Sequence, residues 1–231
     1  MKKQLLTAII AMMATVSASA QIEEGSWYVT PKLGVGIADM TGKLFDPTKT
    51  TDSYDGPLTP IVAFTGGVEF EYAMLDQLGL SFGLNYARQG SKTEDDLFRI
   101  SMDYLNLPVT LNLYPIPNVG LAIKAGVQVG LATRKRVRVN GKDYNADNEV
   151  VGAVFPYWRR PALLYAETEL SRKFNKVDFS IPLALSYTLK NFTLEARYNL
   201  GLTKVMKEDP EASKHSVWQF TLGYKLFMGE N

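Results

Sequence analysis

The feature that most constrains this chain is a strict two-residue alternation of apolar and polar side chains over residues 178–203. It reads as two strands joined at Lys190 and Asn191, each with one apolar face and one face that is small, polar or charged. Successive side chains of a strand point to opposite sides of a sheet, so this period predicts β-structure. Each strand alternates for about twelve residues, whereas soluble strands have roughly 5–6 and tilted strands across a bilayer need roughly 9–11. The pattern therefore favours a membrane-spanning barrel, apolar outside and polar inside.

Six further segments show the same alternation, and with the first two they make eight predicted strands. They cover residues 27–39, 62–72, 78–86, 105–113, 119–131 and 218–226. Short and long connections alternate between the strands. The short ones are residues 75–77, 115–118 and 190–191, and the long ones are residues 40–60, 87–104, 132–177 and 204–217. The fold class is thus predicted to be all-β: an eight-stranded, antiparallel, up-and-down transmembrane β-barrel with short periplasmic turns and long extracellular loops. One alternative stays open, because a hairpin within residues 149–170 that entered the wall would add two strands.

Residues 1–20 have the composition of a secretory signal peptide. Lys2 and Lys3 form a basic start, residues 5–16 are apolar, and a small-residue site ending at Ala20 predicts cleavage before Gln21. The apolar core is too short for a stable membrane helix. We therefore expect an exported protein whose mature domain, residues 21–231, is one β-barrel in the bacterial outer membrane.

Charge and cysteine content narrow the functional classes. Without Lys2 and Lys3, the 25 basic residues fall to 23 against 24 acidic ones, which leaves a net charge of −1. This balance gives no basic footprint for nucleic acid, so no nucleic-acid partner is expected. The chain has no cysteine, so neither a disulfide nor thiol chemistry is available to it.

The predicted inward faces carry eight charged residues, which we interpret as a polar network in the lumen. They are Lys32, Glu69, Glu71, Lys124, Asp178, Glu195, Arg197 and Lys225. An eight-stranded barrel is only wide enough for side chains to fill it, and buried charges require partners, which favours a structural network. An ion path or a ligand site is the alternative, because inward glycines such as Gly79, Gly83 and Gly130 leave room for water.

No residue pattern predicts catalysis, a metal site or a cofactor. The only histidine, His215, is beside Ser216, and adjacent strand residues point to opposite faces, so the two cannot form a nucleophile–base pair. We expect His215 in a loop. The acidic residues 94–96 lack the spacing of a calcium loop, and there is no glycine-rich phosphate loop or zinc spacing. A non-enzymatic protein is therefore expected.

Aromatic residues are predicted to form two girdles at the membrane interfaces, where amphipathic rings are favoured. The periplasmic girdle comprises Trp27, Tyr72, Tyr114, Tyr187, Phe192, Tyr224 and Phe227, and the outer girdle comprises Phe64, Tyr86, Tyr104, Phe179, Tyr198 and Trp218. Pro108 and Pro182 lie on the inward faces of two predicted strands. Because proline removes a ladder donor, we expect a bulge or irregular pairing at each.

Basic residues cluster in the third predicted loop, where guanidinium groups suit bidentate contact with phosphate. The candidate contacts to lipopolysaccharide are Arg134, Arg136, Arg138, Arg159 and Arg160. The expected partners are outer-membrane lipid and lipopolysaccharide, the barrel-insertion machinery during biogenesis, and an extracellular or envelope protein met by the loops. The C-terminal strand, which closes on Phe227, resembles the insertion signal of other barrels.

Several motifs resemble the PorT-type outer-membrane β-barrel family of Gram-negative bacteria. They are residues 104–109 (YLNLPV), 121–126 (LAIKAG), 178–183 (DFSIPL) and 196–202 (ARYNLGL). The family pattern also has prolines at positions 108 and 182. The resemblance implies a small porin-family barrel over nearly the whole mature chain. The founding member is associated with assembly of a secretion apparatus, a role that the resemblance does not carry to this chain.

These inferences lead to a structural, adhesive or partner-interaction role through the extracellular loops. The alternative is a narrow channel for ions or small solutes, which requires a continuous wet lumen. A lipocalin-type ligand-binding barrel is disfavoured because it needs an apolar interior. Participation in a secretion apparatus is a further hypothesis.

Overall fold

The computed structural model describes residues 22–41, 44–45, 53–54, 58–93, 98–116, 119–139, 142–145, 175–204 and 214–230. Within these ranges the regular secondary structure is β-strand. None of the described residues forms a helix that is long and apolar enough to cross a membrane. Several predictions lie outside the described residues: the signal peptide 1–20 with its junction at Ala20 and Gln21, the hairpin within 149–170, the acidic run 94–96, and Arg159 and Arg160.

The described residues form twelve strands. They are β1 (Ser26–Thr41), β2 (Leu44–Phe45), β3 (Ser53–Tyr54), β4 (Leu58–Leu75), β5 (Leu78–Thr93), β6 (Phe98–Leu113), β7 (Leu121–Val139), β8 (Lys142–Asn145), β9 (Val177–Leu189), β10 (Phe192–Lys204), β11 (Lys214–Tyr224) and β12 (Leu226–Glu230). Only Lys225 separates β11 from β12, and both pair with β1, so the two form one strand of the wall. The wall therefore has eight strands, while β2 and β3 form a separate ribbon and β8 pairs with β7.

Neighbouring strands of the wall pair antiparallel in the order β11–β10–β9–β7–β6–β5–β4–β1. The sheet closes because β11 also pairs with β1, from Lys32 opposite Gly223 to Thr41 opposite Lys214. Closure leaves no free edge in the wall, which a sheet in lipid requires. The prediction of an eight-stranded antiparallel up-and-down barrel is confirmed.

Tight turns join β4 to β5 at Asp76 and Gln77, and β9 to β10 at Lys190 and Asn191. Lys190 has a φ of 55°. This left-handed conformation suits a two-residue hairpin, because its twist matches that of the flanking strands. Asn191 ties the second turn to the break in the last strand. Its side chain donates to the Lys225 carbonyl oxygen at 2.8 Å, and its own carbonyl accepts from the Lys225 amide at 2.6 Å.

Burial alternates along the wall strands, with one face exposed and the other buried. Large apolar side chains such as Leu33 and Leu194 are about three-fifths exposed, at 61% and 60%. The buried face is chiefly polar, and the buried apolar clusters of the described residues lie at the two ends of the barrel. Ile22, Tyr28, Ala73, Tyr114 and Ala122 form one cluster, and Ala38, Ile61 and Val217 form the other. This distribution fits a bilayer and excludes the lipocalin-type alternative, whose interior would be apolar.

Some predicted loop boundaries are wrong, because strands continue beyond the apolar band. The second predicted loop, residues 87–104, is largely strand, since β5 ends at Thr93 and β6 begins at Phe98. Several residues that were predicted to lie in loops lie in strands. They include Arg134, Arg136 and Arg138 in β7 and His215 in β11. Outside lipid an outward side chain is free to be polar, so the apolar alternation disappears while the backbone ladder continues.

The inward prolines interrupt one ladder each. The β5–β6 ladder skips Pro108, and the β7–β9 ladder skips Pro182, without a register shift in either. On its other side each proline is regularly paired, Pro108 with Gln128 and Pro182 with Asn199. The expected irregular pairing is therefore present, and a bulge at either proline is not, because a missing donor breaks one ladder without adding a residue.

Outward aromatic rings lie at both ends of the barrel and pack in pairs. The Trp27–Tyr72 and Tyr198–Trp218 ring centroids are each 4.9 Å apart. Two predicted girdle members, Tyr104 and Tyr114, instead point into the lumen and are buried. Their girdle assignment is wrong because their even-numbered positions continue the inward face of β6.

Candidate functional site

Five charged side chains meet in the middle of the barrel and form what we term the central cluster. Lys32 comes from β1, Glu69 from β4 and Lys124 from β7, while β10 contributes both Glu195 and Arg197. All five occupy inward positions of their strands and are buried, with Arg197 only 1% exposed. The two-residue period of each strand therefore delivers every member to the same interior.

Each carboxylate of the central cluster contacts all three cations. Glu69 oxygens lie 2.6 Å from Lys32 Nζ, 2.5 Å from Lys124 Nζ and 3.0 Å from Arg197 Nη2. Glu195 oxygens lie 3.1 Å from both lysine nitrogens and 2.9 Å from Arg197 Nη2. Buried charges are costly unless they are paired, and these contacts supply the pairing. Three cations against two carboxylates leave one positive charge in excess.

The central cluster crosses the full width of the lumen. Lys32 on β1 and Lys124 on β7 come from opposite walls, because three strands separate them in either direction around the barrel. Both lysines contact both Glu69 and Glu195. The ion pairs therefore brace one wall against the other.

A second group, nearer the periplasmic end, centres on Glu71. Its carboxylate accepts hydrogen bonds from Lys225 Nζ, Tyr114 OH and Asn112 Nδ2, each at 2.7 Å. Lys225 Nζ also lies 4.5 Å from the ring centroid of Tyr28, a cation–π contact. This Glu71 group lies below the central cluster and narrows the periplasmic end of the lumen.

Little space is left between the two groups. Lys32, Tyr114 and Lys225 help to line a cavity with a volume of about 10 Å³. This is room for about one water molecule. Gly79 does not leave an open space, because the position of a Cβ there would be 2.6 Å from a carboxylate oxygen of Glu71. The inner half of the lumen is therefore filled by side chains.

The outer half of the lumen is polar but less completely paired. Asp178 is buried there, and none of the ion pairs among the described residues includes it. Tyr104 OH lies 3.3 Å from His215 Nε2. Buried side-chain polar atoms without a described hydrogen-bond partner include those of Asn85, Asn106 and Asn199. The structure thus brings seven of the predicted lumen residues into two groups and leaves Asp178 apart.

Outside the lumen, β5, β6 and β7 carry charged residues on their outward faces beyond the apolar band. Arg88 follows Tyr86 on this face, and its Nε donates to Asp103 Oδ1 at 2.6 Å. Arg136 Nη2 lies 3.8 Å from Asp103 Oδ2. Burial would raise the pKa of Asp103, but the hydrogen bond from Arg88 and the charges of both arginines hold that pKa below its usual value. The same hydrogen bond raises the pKa of Arg88.

Three members of these sites are not evident from charge and composition. Tyr114 and Asn112 share the inward parity of β6, a signal that is sufficient to place both in the lumen but does not identify Glu71 as their partner. Asp103 has no comparable signal, because its arginine partners come from two other strands. Among the described residues, no group of three or more histidine, aspartate or glutamate side chains is arranged to hold a metal ion.

Comparison with known proteins identifies one family and several similar structures. Residues 19–207 match the family described as outer membrane protein β-barrel domain. Ail, the attachment invasion locus protein of Yersinia pestis, is 12% identical, with 88% of this chain and 100% of that chain covered and a TM-score of 0.42. Neisserial surface protein A is 12% identical, with 88% and 99% covered and a TM-score of 0.46. OprG from Pseudomonas aeruginosa is 11% identical, with 88% and 97% covered and a TM-score of 0.44. No curated protein matches.

Proposed function

Since the chain belongs to the outer membrane protein β-barrel domain family, we propose that this integral outer-membrane barrel does not conduct and acts through its extracellular surface. The observation that carries the proposal is the central cluster, in which ion pairs join opposite walls across the lumen. A barrel of this size is just filled by its own side chains, so a desolvated network across it leaves no path for a hydrated ion. The role is then structural, adhesive or partner-binding, and the partner is an extracellular or envelope component met by the loops.

The proposal also describes the protein as non-enzymatic. His215 points into the lumen and is buried, while Ser216 on the opposite face shares a 3.1 Å hydrogen bond with Tyr198. A histidine and a serine on opposite faces cannot work as base and nucleophile. Tyr104 is the hydroxyl nearest His215 among the described contacts, and it too is buried. This arrangement supports a packing role for both rings.

A narrow channel is the second candidate, and one observation favours it. Asn85, Asn106 and Asn199 place buried polar atoms without described partners in the outer half of the lumen. Buried polar groups without protein partners are frequently hydrated. A wet outer half would conduct only if the central cluster also opened.

Conductance in a planar bilayer tests the proposal. We expect no conductance steps from the wild-type protein, once heat-modifiable gel migration has shown that it is folded and inserted. The matched variant is Glu69→Ala, Glu71→Ala, Lys124→Ala, Lys225→Ala, which removes two anions and two cations from the filled inner half and leaves the net charge unchanged. We expect conductance steps from this variant once it is inserted. Stable, reproducible steps from the wild-type protein would overturn the proposal and establish the channel.

Within the family, we propose a PorT-type relationship on the basis of residues 104–109 and 178–183. Pro108 and Pro182 support it, because the family pattern has a proline at both positions. Each of the two lies on an inward face and interrupts one ladder. The proposal covers ancestry and fold and does not extend to assembly of a secretion apparatus. The C-terminal strand is proposed to be the segment that the barrel-insertion machinery reads.

A further inference from the structure

Arg197 is a buried cation whose hydrogen-bond donors are only partly used. Its Nη2 contacts Glu69 and Glu195, while Nε and Nη1 are buried without a described partner. Nε carries one N–H donor and Nη1 carries two. The residue is only 1% exposed, so bulk water does not supply the acceptors. A hydrogen bond left unmade by a buried charged group is costly, which indicates that a further acceptor belongs here.

The surroundings of Arg197 also leave one positive charge without a counterion. The central cluster has three cations and two carboxylates, Glu69 and Glu195. Asp178 is the lumen carboxylate nearer the outer end. The register sets Ala184 of β9 opposite Arg197, and Asp178 lies six residues further out along β9. Six residues extend over about 20 Å of strand, so Asp178 is too far out to neutralise Arg197.

Arg197 lies on the outer side of the central cluster. The small cavity on the inner side is lined by the other four members of the cluster, and Arg197 does not line it. Along β10, Arg197 is two residues further out than Glu195, and Asn199 follows two residues later on the same inward face. The unpartnered donors of Arg197 therefore belong to the outer half of the lumen.

The lumen outward of Arg197, which we term the outer chamber, has no side chain at several of its inward positions. These positions are Gly34, Gly36, Gly126, Gly130 and Gly201. The central cluster closes the chamber on the inner side, and the outer of the two buried apolar clusters lies at its other end. An eight-stranded barrel has room for one small ligand where its own side chains do not fill it. The outer chamber is therefore suited to a single small molecule or ion.

Two amide side chains join Arg197 in the outer chamber. Asn199 is 2% exposed, and both its Oδ1 and its Nδ2 lack a described partner. It lies opposite Pro182 on β9 and Val217 on β11, and neither of these has a polar side chain. Gln219 lies directly opposite Arg197 on β11 and is also buried. Neighbouring positions of two adjacent strands thus bring one charged donor and two neutral donors to the same part of the lumen.

We propose that the outer chamber binds one small monovalent anion, such as chloride, with Arg197 as the charged donor and the amides of Asn199 and Gln219 as neutral donors. Water can accept hydrogen bonds from these groups, but it does not balance the excess positive charge of the central cluster. An anion does both. The inference goes beyond the proposed function, because an enclosed anion site requires neither conduction nor an extracellular partner.

The dependence of urea unfolding on chloride tests the proposal. The purified protein is unfolded in neutral lipid vesicles, and sodium gluconate, whose anion is much larger, holds the ionic strength constant. A ligand at one site of the folded state multiplies the folding equilibrium constant by 1 + [L]/Kd. Above the Kd we therefore expect this constant to rise about tenfold for each tenfold increase in chloride. The chamber forms around the anion on refolding, so the measurement requires no open path into the folded barrel.

Three variants separate the site from general effects of salt. Arg197→Met is expected to abolish the chloride dependence. Asn199→Leu removes one hydrogen bond to a charged group and is expected to shift the dependence to about tenfold higher chloride. The matched control is Asn112→Leu, because this lumen asparagine bonds Glu71 in the inner half. It is expected to lower the stability and to keep the wild-type chloride dependence. Heat-modifiable migration shows that each variant is folded.

Two results of the unfolding experiment would overturn the proposal. One is a wild-type folding equilibrium that does not respond to chloride, and the other is an Arg197→Met variant that responds as the wild type does. Should Arg197→Met or Asn199→Leu fail to fold, Gln219→Leu replaces it and is expected to weaken the chloride dependence in the same way as Asn199→Leu.

Anomalous diffraction locates the anion directly, in crystals of protein that has been refolded in sodium bromide. We expect a bromide peak within hydrogen-bond distance of Nε or Nη1 of Arg197. Bromide peaks at the protein surface alone would show an adventitious ion only. Ordered water in the outer chamber without bromide would show that the chamber is merely hydrated. Either result would make the proposal wrong.

Discussion

Arg197 belongs to a buried cluster in which the cations outnumber the carboxylates. Its Nη2 lies 3.0 Å from Glu69 and 2.9 Å from Glu195, while Nε and Nη1 are buried without a described partner. With Lys32 and Lys124, it makes three cations against two carboxylates. Losing a cation from this cluster restores balance, whereas losing a carboxylate leaves three cations around one anion.

This asymmetry predicts the cost of single substitutions. Removing one partner of a buried ion pair typically costs about 3–5 kcal/mol, and Glu195→Gln is expected to lie in that range. Arg197→Met is expected to cost less than half as much, because two lysines and two glutamates stay paired and two unpartnered donors disappear. Urea unfolding in lipid vesicles measures both. An Arg197→Met variant less stable than Glu195→Gln would contradict the excess of positive charge.

At the scale of elements, the seam between β1 and β11 closes the barrel and depends on close backbone approach. Gly34 lies at this seam opposite Thr221. A Cβ at Gly34 would collide with the carbonyl oxygen of Phe220 and approach the Thr221 Cα to 2.7 Å. At Gly36, on the same face of the same strand, the nearest atom would be 3.6 Å away, an ordinary contact.

These two glycines form a matched pair for testing the seam. Gly34→Ala is expected to lower the free energy of unfolding by about 1–3 kcal/mol, because the backbone of β1 or β11 must move to admit the methyl group. Gly36→Ala is expected to change it by less than about 0.5 kcal/mol. The temperature at which the folded band converts to the unfolded band on a gel measures the change in stability of both variants. Equal conversion temperatures for the two variants would show that the backbone at the seam moves to admit the methyl group without loss of stability, and would contradict the prediction.

At the scale of the whole molecule, the barrel is turned inside out relative to a soluble protein. Its outward faces expose large apolar side chains, and its interior is held by the central cluster and the Glu71 group. A bilayer accounts for the apolar outer surface. The protein must be exported before it can insert into the outer membrane. The signal-peptide prediction therefore bears on how the protein reaches its membrane.

Processing is checked by the mass of the protein purified from the outer membrane. We expect a mature chain that begins at Gln21, because the apolar segment is short and ends in the small residues before it. The control is a variant with Ala20→Leu, in which the small residue at the cleavage position is lost and processing should be slowed. A wild-type protein in the outer membrane that retains residues 1–20 would contradict the prediction.

The alternation of side chains along the chain is enough to predict the class of fold and the direction in which each wall residue points. Parity along a strand assigns a side chain to the lumen or the lipid whatever its neighbours are, which is why Lys32, Glu69 and Arg197 were recognised as inward. The same rule identified the closed barrel, since long strands with one apolar face need both a bilayer and paired edges. Beyond the apolar band the alternation of apolar and polar residues is lost. The sequence pattern therefore does not predict the extensions of β5, β6 and β7.

Which of the inward charges meet depends on the closed barrel and is not predictable from the alternation. Strand register and the stagger of a closed sheet are set by pairing around the whole wall, and a period of two carries no record of them. Lys124 therefore meets Lys32, from the opposite side of the lumen, at the same two carboxylates, Glu69 and Glu195. Asp178, equally inward, lies outside both groups. Asp103 likewise finds its arginines on two neighbouring strands. The chain specifies what each face presents, and closure of the sheet determines what it touches.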